Sequence, residues 1–405
     1  MGADRDQRIL EGIRVISMGQ IVAIPAASSL MGDWGAEVIK LEPLTGEMHR
    51  GLRRSQGVQV GPVNWVMQVL NRSAKGLALD VKQPAGREVV YKLIERADIF
   101  LCNYERNSVK RLGLDYASLS KINPRLIYGF VSGYGKVGPD KDERGYDFTA
   151  GWARSGMMYM IGEPGTPPAP QRAGMIDSSA GAHLLAGIMA ALRQRDKTGK
   201  GQEVEVSLFH TGVWMLNMDI QNALGGSLPI KHNRTKTNNP IWNSYQTKDG
   251  RWFWLAMLQP DPSWPGFCRA IERPDLENDP RFNNIDTRRD NCVELIKIIE
   301  DALATQTMAE WERRFRQHNC IYGRVQSPTE VTTDRQAVAA GVFQEVDVPG
   351  AGVTKVVTSP VVFSDNAVSI RAPCPELGQH TEEILLDLGY TWGDIARLKE
   401  GKVIL

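Results

Sequence analysis

Cysteine is scarce in this chain and is never paired at a functional spacing. The 405 residues include five cysteines, none of them in a C-x-x-C pair: Cys102, Cys268, Cys292, Cys320 and Cys374. Disulfide-dependent secreted domains and zinc sites both need cysteines that are numerous or clustered. The six histidines also lack metal-ligand spacing to any Asp, Glu or Cys. The sequence therefore predicts no disulfide framework and no metal site, and it favours a reducing, cytoplasmic location.

Charge of one sign and long apolar runs are also missing. Lys and Arg number 48 against 47 Asp and Glu, which gives a formal net charge of +1. A balanced charge gives no reason to expect a nucleic acid partner. The charged N-terminus has no apolar signal region, and no run of about 18 apolar residues suggests a membrane span. We predict neither a nucleic acid nor a membrane partner, so local Lys and Arg clusters must hold any anionic ligand.

The first part of the chain alternates between strand and helix patterns. Strands are predicted at 13–17, 37–41, 76–81, 98–102 and 126–132, and helices at 26–34, 86–96 and 108–111. Such alternation is typical of an α/β fold with a doubly wound parallel sheet. No G-x-G-x-x-G follows the first strand, so the dinucleotide fingerprint is absent. The pattern predicts a Rossmann-like scaffold without the usual dinucleotide cofactor.

Near residue 225 the pattern changes. A glycine pair and a polar loop precede a predicted hairpin at 243–258, which helices follow up to about 318. We predict a large domain from 1–225, a smaller α+β domain at 226–330, and a C-terminal segment, 331–405, that completes the large domain. The smaller domain is rich in tryptophan, which fits either core packing or the wall of a pocket for a bulky acyl group.

Residues 172–183 place a single carboxylate, Asp177, between a glycine-containing turn and an apolar helix. One interpretation is a helix N-cap, because Asp at such a position satisfies free backbone N–H groups. The other is a nucleophile, since an aspartate with a reference pKa near 3.9 is ionised at pH 7 and needs no general base. Gly181, in the same helix, allows close backbone approach to a substrate or tight helix packing.

Several separated motifs resemble those of the family III CoA-transferases, the CaiB/BaiF family. They comprise residues 35–42, 71–75, 97–104, 133–148, the Asp177 segment and the C-terminal 375–390. The resemblance implies a CoA-transferase that moves CoA from an acyl-CoA donor to a free carboxylic acid. It also implies an interlocked homodimer or a close heteromer in which the large domain binds coenzyme A.

In that family the aspartate at the place of Asp177 is the nucleophile. The resemblance implies an aspartyl anhydride and then an aspartyl-CoA thioester, with the glycine turn supplying backbone donors for the oxyanions. Seven residues on the matching motifs or at the end of the first strand are candidates for CoA binding: Val22, Ala23, Arg72, Lys75, Asn103, Tyr104 and Arg111. Taken singly, each basic residue among them also fits a solvated surface position.

Within the family, Asn233-Arg234, Asn239-Pro240 and Ser244-Tyr245 look most like the transferases for aryl- and 2-hydroxyacyl groups. Two alternatives remain open. One is an acyl-CoA racemase or isomerase, although racemases of this fold carry a histidine where this chain has Tyr146. The other is a CoA-binding, non-catalytic subunit of a heteromeric transferase.

Overall fold

The computed structural model describes residues 8–51 and 61–405. The chain divides into two compact units. The larger unit contains the described residues up to Tyr159, Pro170–Leu228 and Val338–Leu405, and the smaller unit contains Met160–Ala169 and Pro229–Ala337. The predicted smaller domain, 226–330, did not include the segment Met160–Ala169, which carries no periodic signal that separates it from its neighbours.

The larger unit is built on a parallel sheet. The strands of the described chain are β1 (Arg14–Met18), β2 (Glu37–Glu42), β3 (Ala74–Ala78), β4 (Ile99–Cys102), β5 (Ile127–Ser132), β6 (Glu203–Ser207), β7 (Trp242–Gln246), β8 (Trp252–Ala256), β9 (Tyr322–Arg324), β10 (Phe343–Val348) and β11 (Gly352–Val357). Six of them form one sheet in the order β3-β2-β1-β4-β5-β6, and every neighbouring pair is parallel. The predicted α/β fold with a doubly wound parallel sheet is therefore confirmed.

Helices pack against this sheet and also occur throughout the smaller unit. Their bounds are α1 (Ala23–Asp33), α2 (Met48–Gly51), α3 (Trp65–Leu70), α4 (Pro84–Glu95), α5 (Arg106–Arg111), α6 (Tyr116–Ile122), α7 (Met157–Met160), α8 (Met175–Thr198), α9 (Leu208–Met215), α10 (Asn217–Leu224), α11 (Pro260–Ala270), α12 (Ile285–Asp290), α13 (Cys292–Leu303), α14 (Met308–Gln317), α15 (Pro328–Val331), α16 (Arg335–Ala339), α17 (Thr381–Asp387) and α18 (Trp392–Glu400). A π-helix spans Asp147–Ala153, and a 3₁₀ turn spans Pro274–Leu276.

The long helix α8 is apolar enough to cross a membrane by length and composition, and half of its most apolar window is buried inside the protein. It packs against α1 and against strands β5 and β6. Near its C-terminus Arg195 is buried and forms an ion pair of 2.9 Å with Asp98. Partial burial and a buried arginine in an ion pair are typical of a core helix, which passes the same test of length and hydropathy.

The smaller unit has its own sheet and core. The predicted hairpin is present as the antiparallel pair β7 and β8, and β9 extends it. Trp264 and Trp311 are almost fully buried among the aromatic and aliphatic side chains of this unit. For Trp264, the core interpretation is therefore the one that the structure supports.

Candidate active site

A cleft opens in the larger unit where the sheet reverses its winding direction. The segments after β1 and β4 diverge there, because β2 and β5 lie on opposite sides of this central pair. In doubly wound sheets, ligands bind outside the carboxyl ends of the strands at this switch point. The cleft has a volume of about 370 Å³. It is lined by residues 20, 21, 23, 48, 103–107, 130–133, 141–147, 177 and 208.

Asp147 anchors the N-terminus of α8 at the floor of this cleft. The turn at Gly174 has a φ of 84°, which glycine adopts without strain. One Asp147 carboxylate oxygen accepts the Gly174 N–H at 2.7 Å, and the other accepts the N–H groups of Ile176 and Asp177 at 2.9 and 3.0 Å. Asp147 is itself buried. It therefore satisfies three backbone donors at the start of the helix from a distant segment of the chain.

Asp177 is the third residue of α8 and is not its N-cap, because the helix begins at Met175 and Gly174 occupies the cap position. The cap interpretation was wrong because Asp147 already supplies the acceptors. Backbone N–H groups predicted as oxyanion donors are also engaged there. The turn offers no oxyanion donor from Gly174, Ile176 or Asp177 while these three bonds persist.

The surroundings of Asp177 raise the pKa of its carboxyl to about 7. Burial is the main cause, since only 7% of the residue is exposed, and the nearby Asp147 carboxylate adds to it. No described group donates a hydrogen bond to the Asp177 carboxylate. The ionised fraction of Asp177 at pH 7 is therefore smaller than the reference pKa of a solvent-exposed aspartate predicts.

Gly181 allows α8 to lie directly on α1. A Cβ at this position would come within 2.6 Å of the Ala23 carbonyl oxygen and 3.1 Å of the Ala26 Cβ. Such distances exclude any larger side chain without movement of the backbone. Of the two interpretations of Gly181, tight helix packing is the one that the structure supports, and it brings the N-terminal ends of both helices to the cleft.

The structure brings together some of the predicted CoA-binding residues. Ala23, Asn103 and Tyr104 line the cleft with Asp177. Asn103 also fixes the end of the β1 segment, because it accepts the Gln20 N–H at 3.0 Å and donates to the Gln20 carbonyl at 2.9 Å. Val22 is buried next to Gly174 and does not line the cleft.

The predicted basic residues lie elsewhere. Arg72 is buried in an ion pair of 2.7 Å with Asp33. Lys75 lies in a separate groove and pairs with Glu383 at 2.7 Å and Glu37 at 3.4 Å. Arg111 is exposed, and its guanidinium donates to Ser108 at 3.2 Å. None of the three lines the cleft.

Other cations do line the cleft, and the sequence analysis missed them. Arg106 pairs with Glu203 and Glu205 and stacks over the Phe130 ring at 4.3 Å. Lys141 and Arg144 belong to the exposed loop that leads to Asp147. The sequence did contain a signal for these cations, because Arg106 follows the predicted strand 98–102, and Lys141 and Arg144 follow the predicted strand 126–132. Among the described residues, no group of three or more His, Cys, Asp or Glu side chains is arranged to bind a metal.

The chain matches a known protein family over most of its length. The model of CoA-transferase family III matches residues 10–381. The (R)-2-hydroxy-4-methylpentanoate CoA-transferase of Clostridioides difficile is 36% identical over 98% of this chain and 99% of that protein. The cinnamoyl-CoA:phenyllactate CoA-transferase of Clostridium sporogenes is 32% identical over 99% of this chain and 98% of that protein.

A solved structure agrees with these relatives. The crystal structure of a CaiB/BaiF family protein from Brucella suis matches with a TM-score of 0.84 and 27% identity, over 94% of this chain and 100% of that one. The predicted resemblance to the CaiB/BaiF family, and within it to transferases of aryl- and 2-hydroxyacyl groups, is confirmed. The chain therefore belongs to CoA-transferase family III and is an acyl-CoA:carboxylate CoA-transferase.

Proposed function

We propose that Asp177 is the covalent relay of this transferase. The observation that carries the proposal is the buried Asp177 carboxylate, which lines the switch-point cleft from the start of α8 and, unlike Asp147, receives no hydrogen bond from the residues that the structure describes. A carboxylate of this kind is poorly solvated and therefore a better nucleophile than an exposed one. Asp147 holds the backbone that carries it and leaves the Asp177 oxygens available for reaction.

The proposed reaction begins and ends with the free Asp177 carboxylate. An Asp177 oxygen attacks the donor thioester carbonyl, the C–S bond breaks, and CoA leaves as a thiolate from a mixed anhydride. The thiolate then attacks the aspartyl carbonyl, and the donor acid leaves as a carboxylate. The acceptor carboxylate attacks the carbonyl of this aspartyl-CoA thioester, the C–S bond breaks, and CoA leaves as a thiolate from a second mixed anhydride. The thiolate then attacks the acceptor carbonyl of that anhydride, which gives the new acyl-CoA and frees Asp177 as a carboxylate.

Binding of CoA would depend on the cations of the cleft. Arg106, Lys141 and Arg144 are the basic residues among its lining, and phosphate groups are held by charge-assisted contacts of this type. We propose that they, with the backbone of the β1 segment and Asn103 and Tyr104, contact the substrate. Val22, Arg72, Lys75 and Arg111 stay predictions as CoA-binding residues.

The acceptor is proposed to be a 2-hydroxy carboxylic acid with an aryl or branched alkyl side chain. Support comes from two relatives whose names specify (R)-2-hydroxy-4-methylpentanoate and phenyllactate. A panel of these two acids with succinate, glutarate and oxalate tests the proposal. Faster transfer to the dicarboxylic acids than to both hydroxy acids would refute it.

We also propose a cytoplasmic homodimer. Support comes from the family and from large apolar side chains that the larger unit exposes, at 58% for Trp214, 79% for Met218 and 76% for Leu224. Apolar patches of this kind mark interaction surfaces. Light scattering during size-exclusion chromatography should give the mass of two chains, and the mass of one chain would contradict the proposal.

Peptide mass spectrometry after mixing with acyl-CoA tests the covalent relay. We expect a CoA adduct, formed with loss of water, on the peptide that contains Asp177. Asp177→Asn should abolish it, whereas Asp196→Asn, on an exposed position of the same helix, should leave it unchanged. Binding of CoA with no adduct on the wild-type protein would refute the relay, and deuterium wash-in at the α-carbon would then favour the racemase.

A further inference from the structure

The segment after β1 holds a strained residue against the cleft. Ile21 has a φ of 67°, in the left-handed region that is unfavourable for a β-branched side chain. Ile21 lines the same cleft as Asp177. Backbone strain persists only where the surrounding contacts determine the conformation, and it is concentrated at functional sites. The contacts of Ile21 are therefore informative about the site.

Two buried side chains hold the backbone of Ile21. Its N–H donates to Glu47 Oε2 at 2.8 Å, and its carbonyl lies 2.9 Å from His49 Nδ1. Glu47 and His49 are 4% and 1% exposed. The N–H and the carbonyl of Ile21 are thus both held by side chains at the start of α2.

Glu47 is in turn held by buried charges. Its other carboxylate oxygen pairs with Lys40 of β2 at 2.8 Å, and both side chains are almost fully buried. The Glu47 N–H donates to Glu42 at 3.0 Å, and Glu42 receives two hydrogen bonds from Arg50. Buried ion pairs are costly to break, so the carboxylate of Glu47 has one well-defined position. Neither Glu47 nor Lys40 lines the cleft.

We infer that Glu47 is a positioning residue for the transfer reaction: its carboxylate holds the Gln20–Val22 backbone in the left-handed turn that faces the substrate beside Asp177. This inference rests on the proposed function, because the reaction it affects is the loading of Asp177. The ion pair with Lys40 orients Glu47, and the hydrogen bond to Ile21 transmits that orientation to the cleft.

Glu47→Gln tests the inference, because Lys40 and Ile21 donate to different carboxylate oxygens, and the amide NH2 group of glutamine would place a donor against one of these two donors. We expect the rate of Asp177 loading at saturating acyl-CoA to fall about tenfold to a hundredfold, the range for loss of one charge-assisted hydrogen bond. The same substitution is then measured in two backgrounds, Ile21→Ala and Ile21→Gly. Both remove the isoleucine side chain, but only glycine adopts a positive φ without cost.

If Glu47 acts through Ile21, Glu47→Gln should lower the loading rate in the Ile21→Ala background as much as in the parent. In the Ile21→Gly background the same substitution should lower the loading rate by about threefold or less. Equal factors in the two backgrounds, or no loss in the parent, would overturn the inference. Asp98→Asn, which removes the partner of buried Arg195 away from the cleft, controls for general loss of stability. If Glu47→Gln does not fold, Glu47→Asp keeps the charge for Lys40, shortens the reach to Ile21 and is compared in the same backgrounds. A wild-type protein without any adduct would refute the covalent relay; the factor lost on Glu47→Gln is then compared in the same backgrounds as the rate of CoA transfer to the acceptor acid, and equal factors would again overturn the inference.

Discussion

At the scale of single residues, burial decides the chemistry of Asp177. A carboxylate in the first turn of a helix would ordinarily have a lowered pKa, because the helix dipole favours negative charge there. In this site Asp147 takes the backbone donors, and desolvation together with its charge raises the pKa of Asp177 to about 7. The backbone donors at this end of the helix therefore stabilise the Asp147 carboxylate, whereas burial disfavours the ionised form of Asp177.

The first prediction concerns the pH dependence of loading. Only the ionised carboxylate attacks a thioester, so the rate of adduct formation should rise with pH and reach half its plateau near pH 7. Single-turnover kinetics with one acyl-CoA between pH 5 and 9 measure it. A rate that is constant from pH 5 upward would show that the carboxyl keeps its ordinary pKa.

The second prediction concerns stability. The folded pKa of Asp177 lies above the unfolded value of 3.8, so the unfolded state binds fewer protons between these values and stability falls as pH rises from about 4 to 7. Asp177→Asn should remove a penalty on the order of 4 kcal/mol at pH 8 and change little at pH 4. Melting temperatures of the two proteins across this range check it. An asparagine variant that is less stable at pH 8 than the wild type would contradict the argument.

At the scale of elements, the start of α8 depends on a carboxylate from another segment. Asp147 precedes its three donors by 27, 29 and 30 residues, so no local capping pattern in the sequence predicts the contact. The motif singled out Asp177, and the cap interpretation gave it the backbone contacts that Asp147 makes instead. In the same way, Arg72 looked available for phosphate because its partner Asp33 lies on α1, far away in sequence.

Elements with a strong local pattern were predicted more accurately. β1, β2, β4 and β5 agree with the predicted strands to within one residue at each end, because parallel strands buried on both faces are continuous apolar runs. The final helix, α18, was not predicted; it begins after Thr391, whose side chain forms a capping box with Asp394. The π-helix at Asp147–Ala153 was also missed, since glycine and polar residues interrupt its pattern.

The third prediction tests the role of Asp147. In Asp147→Asn, the side-chain NH2 group replaces one of the two oxygens that accept backbone N–H groups of α8 and its turn. We therefore expect a loss of about 1 to 2 kcal/mol in the free energy of unfolding. It also removes the charge next to Asp177, so the midpoint of the loading profile should move to lower pH. Asp115→Ala, which removes the side-chain acceptor at the N-cap of α6, is the matched control. This control should lower stability and leave the pH midpoint of loading unchanged. A midpoint that moves equally in both variants, or that does not move in Asp147→Asn, would contradict the electrostatic role of Asp147.

At the scale of the whole molecule, each unit has its own core. The smaller unit buries Trp264, Phe267, Trp311 and Phe315 next to its antiparallel sheet, and among the described residues all members of that cluster belong to this unit. A cluster of this size is sufficient for a domain that folds alone. The fold of this unit follows from its hairpin turn and amphipathic helices, whereas the segment that joins it from Met160–Ala169 has no such signal.

The fourth prediction follows from that independence. A fragment of residues 229–337 should melt cooperatively and show the near-ultraviolet circular dichroism of buried tryptophan. Leu295→Ala, at a fully buried position, should lower its stability by about 2 to 5 kcal/mol. A fragment without a cooperative transition would show that the unit needs the rest of the chain.

The two carboxylates at the start of α8 have a consequence for the resting form of the enzyme. On the proposed mechanism, attachment of CoA to Asp177 turns a buried anion into a neutral thioester and leaves Asp147 as the single charge at that helix end. The unloaded enzyme then bears the electrostatic cost, and the loaded one does not. Such a protein would favour the form in which CoA stays attached to Asp177 after the donor acid has left. The donor and the acceptor acid would then not have to be bound at the same time.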